Sequence, residues 1–100
     1  MLSISTVELQ QKLNDKEDLV LIDVREPWEH ADFNIGGLLI PIDTLFDNLD
    51  QLERDKPVIF YCQKGIRSQI AIQRLYLKFN FTNLVNLIGG MDAWKKEFNK

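Results

Sequence analysis

The sequence holds little of what most often carries chemistry: one cysteine, Cys62, and one histidine, His30, in 100 residues. A lone cysteine excludes an internal disulfide. With a single histidine beside it there is no Cys/His cluster at metal-ligand spacing, so neither a metal nor another cofactor is expected, and chemistry at Cys62 must use a free thiol. No apolar run approaches the roughly 18 residues that cross a bilayer. The opening Met1-Leu2-Ser3-Ile4 lacks the basic segment and apolar stretch of a secretory signal. A cytoplasmic protein with no membrane partner is the expectation. Charge of neither sign dominates, because 12 Lys and Arg stand against 15 Asp and Glu for a net of -3, without a long run of either. That balance argues against a nucleic-acid partner. Repeats, linkers and low-complexity stretches are also missing, and the 45% hydrophobic content over residues 1–100 fits one domain rather than two cores.

What is present alternates between two periods. Ser5 followed three residues later by Glu8 reads as a capping box, with Ile4 and Leu9 at the staple positions, so a helix is expected from about Thr6 to Asn14. Leu19-Val20-Leu21-Ile22 is a short, continuously apolar run, as in a strand buried on both faces, and Asp23 lies at its carboxyl end. From Arg25 to Gly37 the pattern breaks up. Pro27 suits a first helical turn, and Gly36-Gly37 marks a turn before a short strand at Leu38-Leu39-Ile40. Asp43 can cap a helix with Leu45, Phe46, Leu49 and Leu52 on one stripe, ending near Arg54. Val58 to Tyr61 is the next strand, a helix carrying Ile70, Ala71, Leu75 and Phe79 ends near Asn80, and Leu84 to Leu87 is the last strand. Met91, Trp94 and Phe98 then recur at helical spacing, with the first two as core anchors. Such alternation indicates an α/β fold with a mainly parallel sheet.

In a parallel sheet the ligand crevice lies beyond the carboxyl ends of the strands, which is where Cys62 falls. The loop Gln63-Lys64-Gly65-Ile66-Arg67 is too short to wander and should curl with its N–H groups inward at a helix start. Gly65 frees the backbone for that curl, and Lys64 and Arg67 add positive charge. A cradle of this kind favours an anion, and cysteines beside cations or at helix N-termini ionise below the free value of about 8.5. Cys62 is therefore expected to be a nucleophile that needs no general base, rather than a small buried hydrophobe.

Three segments in order, Asp23-Val24-Arg25-Glu26, Cys62-Gln63-Lys64-Gly65-Ile66-Arg67-Ser68 and Gly89-Gly90-Met91-Asp92-Ala93-Trp94, resemble the signatures of rhodanese-homology domains along essentially the whole chain. The resemblance implies a rhodanese-like α/β fold in which a five-stranded, mainly parallel sheet is flanked by helices. It also implies a sulfurtransferase in which Cys62 forms a persulfide. Sulfane sulfur would come from thiosulfate or a protein persulfide and pass to cyanide or a thiol. Gln63, Lys64, Gly65, Ile66, Arg67 and Ser68 would hold the donor, with Arg67 polarising it and the loop N–H groups holding the outer sulfur. The family pattern makes Asp23 and Arg25 supports of this loop, and their own chemistry reads as a structural ion pair or a turn cap. Four residues separate Cys62 from Arg67, against five in related cysteine phosphatases. The resemblance further implies that a cation at Lys64 suits thiosulfate better than mercaptopyruvate.

The chain departs from the family at Phe33-Asn34-Ile35-Gly36-Gly37-Leu38, where many members have Gly-His-Ile-Pro-Gly-Ala. Asn34 can hydrogen-bond but cannot titrate near neutrality, and Gly36 loosens a turn that proline would stiffen. A similar stretch occurs in rhodanese domains attached to sulfur-carrier-activating enzymes, which keeps a relay to a protein sulfur donor or carrier open. A non-catalytic interaction domain and a redox sensor are further alternatives. The first is disfavoured by the presence of Cys62, the second by the lack of a resolving cysteine. Trp28 can line a pocket or partner surface, and His30 is expected to be a solvated side chain.

Overall fold

Val20–Asp23 (β2) and Val58–Tyr61 (β4) pair in parallel from Val20 with Val58 to Asp23 with Tyr61, so the two apolar runs end on one edge of the sheet. In the computed structural model, which describes residues 1–99, Leu84–Leu87 (β5) lies on the other side of β4. Leu2–Ile4 (β1) and Leu38–Leu39 (β3) close the edges in the order β1-β5-β4-β2-β3, and every pairing is parallel. All four β4 residues are buried, as a strand with helices on both faces requires.

Side chains alternate across the sheet and build two cores. On one face Ile22, Val58 and Phe60 meet Ala71, Ile72 and Leu75 of the helix Ile66–Phe79 (α3), together with Leu45. On the other, Leu21, Ile59 and Tyr61 meet Leu9 of Thr6–Asn14 (α1) and Met91 and Trp94 of Gly90–Phe98 (α4). Both halves of the Ser5–Glu8 capping box form, and Ile4 and Leu9 are both buried. Pro27 opens the short helix Pro27–Asp32 (α2).

One strand is added and two local expectations give way. β1 has no counterpart in the sequence reading, because only Ile4 of its three residues is buried and the apolar pattern is too short to register. The segment Ile42–Gln51 is 3₁₀ rather than α, with Pro41 at the N-cap and Asp43 already in the first turn, so Asp43 does not cap it. Thr44 Oγ1 donates instead to the Pro41 carbonyl at 2.9 Å, and a break at Asn48 separates Leu45, which enters the core, from the following turn. Finally, α3 begins at Ile66, with Gly65 as its N-cap, so Ile66 and Arg67 belong to the helix rather than to the loop. Among the described residues no helix is long and apolar enough to cross a membrane.

Candidate active site

Parallel pairing brings Asp23, at the end of β2, and Cys62, just beyond β4, to the same edge of the sheet. The chain must turn sharply here to enter α3, and it does so through Gly65 at φ +84. A Cβ on Gly65 would lie 2.9 Å from the Gly89 nitrogen, so both conformation and space call for glycine. The start of α4 backs the same loop. Met91 N–H donates to the Cys62 carbonyl at 2.9 Å and Asp92 N–H to the Gln63 carbonyl at 3.0 Å, while Gln63 Nε2 donates to Asp92 Oδ1 at 2.6 Å. With its carbonyls turned toward α4, the loop has N–H groups left to face the sulfur.

Two of them do. Gly65 N–H donates to Cys62 Sγ at 3.1 Å and Ser68 N–H at 3.4 Å, and both belong to the first turn of α3 or its cap. The Ser68 hydroxyl also lies 3.4 Å from the sulfur, and it donates in turn to Asn86 Oδ1 in a short hydrogen bond. Cys62 itself is buried, forming part of the wall of a pocket of about 290 Å³ with Glu29, Gln63, Lys64, Ile66 and Arg67. Lys64 is exposed at this pocket and, among the described residues, has no ion-pair partner.

Asp23 and Arg25 form a buried ion pair with side chains 0% and 2% exposed. Arg25 Nε and Nη2 both donate to the Asp23 carboxylate, Nη2 also donates to the Phe33 carbonyl at 2.6 Å, and Nη1 reaches Gln63 Oε1 at 2.9 Å. That last bond ties the ion pair to the residue after the cysteine. His30 is not the solvated side chain expected from the sequence. Its Nδ1 lies 2.9 Å from Asp23 Oδ2 and its side chain is only 23% exposed, because α2 carries it back over the end of β2.

Arg67 lines the pocket, but its guanidinium is engaged. Nη1 and Nη2 donate to Oε1 and Oε2 of Glu29, each at 2.8 Å, a bidentate pair between α3 and α2. The Arg67 hydrogen bonds hold the Glu29 carboxyl down at about 2, well below the ordinary 4.5, even though burial opposes its ionisation. Glu29 is a site residue that sequence reasoning missed. It lies in a patternless segment, and its partner is 38 residues away, beyond any helical or strand spacing.

The departure from the family pattern has a local explanation. Asn34 Oδ1 accepts from Gly36 N–H at 2.8 Å while its Nδ2 donates to the His30 carbonyl at 2.9 Å, so the side chain fixes the turn that proline would otherwise stiffen. Gly37, at φ +87, lies so close to β2 that a Cβ would stand 2.3 Å from the Leu21 carbonyl oxygen. Tyr61 OH donates to the Gly36 carbonyl at 2.8 Å, and burial pushes its phenol upward. Met91 and Trp94 are core residues, whereas Trp28 is 72% exposed.

The chain is similar to known proteins in sequence and in fold. The model of the rhodanese-like domain matches residues 5–97. The thiosulfate sulfurtransferase GlpE of Coxiella burnetii is 33% identical over 84% of this chain and 78% of its own length. The protein named probable adenylyltransferase/sulfurtransferase MoeZ of Mycobacterium tuberculosis is 36% identical over 95% of this chain, which spans only 25% of that relative. The crystal structure of a rhodanese-like domain protein from Staphylococcus aureus superposes with a TM-score of 0.83 at 37% identity, covering 94% of this chain and 91% of the other. With the family's fold, a matching model over nearly the whole chain and relatives above 30% identity, this chain belongs to the rhodanese-like domain family.

Proposed function

We propose that the protein is a sulfurtransferase that carries sulfane sulfur on Cys62, taking it from thiosulfate or a protein persulfide and passing it to a thiophilic acceptor such as cyanide or a thiol. The observation that carries this reading is the pair of backbone donors, Gly65 N–H and Ser68 N–H, aimed at a sulfur in the wall of a pocket. Fixed amide dipoles of this kind are already aimed at the sulfur on which charge develops as bonds to it form and break. In the first half-reaction Cys62 Sγ attacks the outer sulfur of thiosulfate, the new S–S bond forms, and sulfite leaves with the electron pair of the broken bond. In the second, cyanide attacks the outer sulfur of the persulfide, thiocyanate leaves and the Cys62 thiolate is restored. Lys64, exposed at the mouth, supplies positive charge to an anionic donor, and Ile66 and Gln63 shape its walls. GlpE, named as a thiosulfate sulfurtransferase, supports thiosulfate as the small donor.

Thiocyanate formation from thiosulfate and cyanide tests the reading. Wild type is expected to turn over and Cys62→Ser is not. Equal turnover by the two proteins would rule out Cys62 as the carrier.

A second reading, a relay that exchanges sulfur with a protein donor or carrier, is favoured by exposed apolar side chains, one of them, Ile66, in the pocket lining. Trp28, next to Glu29, is 72% exposed and Ile66 is 61% exposed. The match to a quarter of MoeZ, named as both an adenylyltransferase and a sulfurtransferase, agrees with such a role. Its signature is fast loading of Cys62 by a protein persulfide combined with poor use of thiosulfate.

A further inference from the structure

We propose that Glu29 tunes the choice of sulfur donor by pairing with the Arg67 guanidinium and offsetting its charge in the pocket, so that the site discriminates against a second negative charge on the donor. The inference rests on the sulfur-transfer reading of Cys62 and assigns Glu29 a positioning role within it. Three charged side chains line the pocket, Glu29, Lys64 and Arg67. Two of them are committed to each other, since both Nη atoms of Arg67 sit 2.8 Å from the two Glu29 oxygens. Glu29 is further anchored at its own helix start, where Oε1 accepts the Glu26 N–H at 3.1 Å, and its side chain is only 10% exposed. A donor that recruited Arg67 would strand this carboxylate, nearly out of water, without its partner. The guanidinium therefore stays paired with Glu29, and Lys64 is the cation of the lining whose charge is not offset by an ion pair among the described residues.

The consequence depends on donor charge. Thiosulfate brings two negative charges and most needs the cation that Glu29 offsets. A donor with one charge, such as a persulfide or a thiosulfonate, needs it less.

Two donors of similar shape separate this from a general effect. Thiosulfate and methanethiosulfonate both present a sulfane sulfur on a sulfonyl centre, releasing sulfite and methanesulfinate respectively when Cys62 attacks, but methanethiosulfonate has a methyl group in place of one charged oxygen. In Glu29→Gln the ratio of kcat/KM for thiosulfate to that for methanethiosulfonate is expected to rise about tenfold, the size of one charge-assisted hydrogen bond gained. In Glu29→Gln/Arg67→Gln the gain should vanish, because it requires Arg67. Damage to the loop would slow both donors together, so a ratio that is unchanged or lower in Glu29→Gln overturns the inference. Should Glu29→Gln fail to fold, Arg67→Lys serves: it keeps the charge but cannot span both carboxylate oxygens, and its ratio must also rise. Wild type distinguishes the two failures. If neither donor places sulfur on Cys62, the sulfur-transfer reading falls and takes this inference with it. If both do and the ratio is insensitive to Glu29, only the role of Glu29 falls.

Discussion

Gly90 stands against Cys62 so closely that a Cβ on it would lie 2.2 Å from the Cys62 carbonyl oxygen. Its φ is +57, so a side chain would be strained as well as crowded. This approach lets Met91 N–H reach the same carbonyl and turn the loop's amides toward the sulfur. Gly90→Ala is expected to cost about 2–4 kcal/mol of stability in urea unfolding and to slow loading of Cys62. Wild-type stability and loading would show that the backing by α4 is not what shapes the loop.

The Asp23–Arg25 pair is buried on both sides, so removing Arg25 leaves a buried carboxylate with the His30 ring nitrogen beside it in place of the guanidinium. Arg25→Ala should lose about 3–5 kcal/mol by the same unfolding measurement and should free the Gln63 side chain from its bond to Nη1. A loss under about 1 kcal/mol, as for an exposed pair, would contradict the buried network.

Much of this was legible in advance, for physical reasons. The strand runs at 20–22 and 58–61 are apolar on both faces because the sheet is covered on both faces, the run at 84–87 is interrupted only by Asn86, and that pattern needs no tertiary knowledge. The Ser5–Glu8 box is local and therefore readable. Cys62 at a strand end before a glycine-containing turn was legible for the same reason. By contrast, the pairing of Glu29 with Arg67 and the packing of His30 on Asp23 depend on where α2 lands over the sheet, which short-range spacing does not encode. The Ile42–Gln51 segment kept an apolar stripe that reads as α, while Pro41 and the break at Asn48 impose shorter 3₁₀ turns.

Glu29 also gives the fold an acid dependence with a definite sign. Its folded pKa, lowered to about 2 from the ordinary 4.5, means that the unfolded chain binds the proton more readily. The stabilisation by the pair is complete above about 4.5 and is lost as the pH falls through that value toward about 2. Urea midpoints for wild type should drop over this window, and those of Glu29→Gln should drop less. Parallel curves for the two proteins would show that the pair adds no acid-sensitive stability.

Ser68 separates stability from chemistry. Its hydroxyl is the partner of the buried Asn86 Oδ1, but its backbone N–H supplies the bond to the sulfur. Ser68→Ala should therefore cost about 1–3 kcal/mol, from an acceptor left unpaired, while Cys62 still takes up sulfur. A variant of wild-type stability that no longer loads would instead make the hydroxyl the essential donor.

The intact mass of the protein after exposure to a sulfur donor tests the account most directly. With thiosulfate or a protein persulfide as donor, wild type should gain one sulfur, about 32 Da, that cyanide removes and that Cys62→Ser never acquires. An unchanged wild-type mass with both donors, or an equal gain in Cys62→Ser, would contradict a persulfide carried on Cys62.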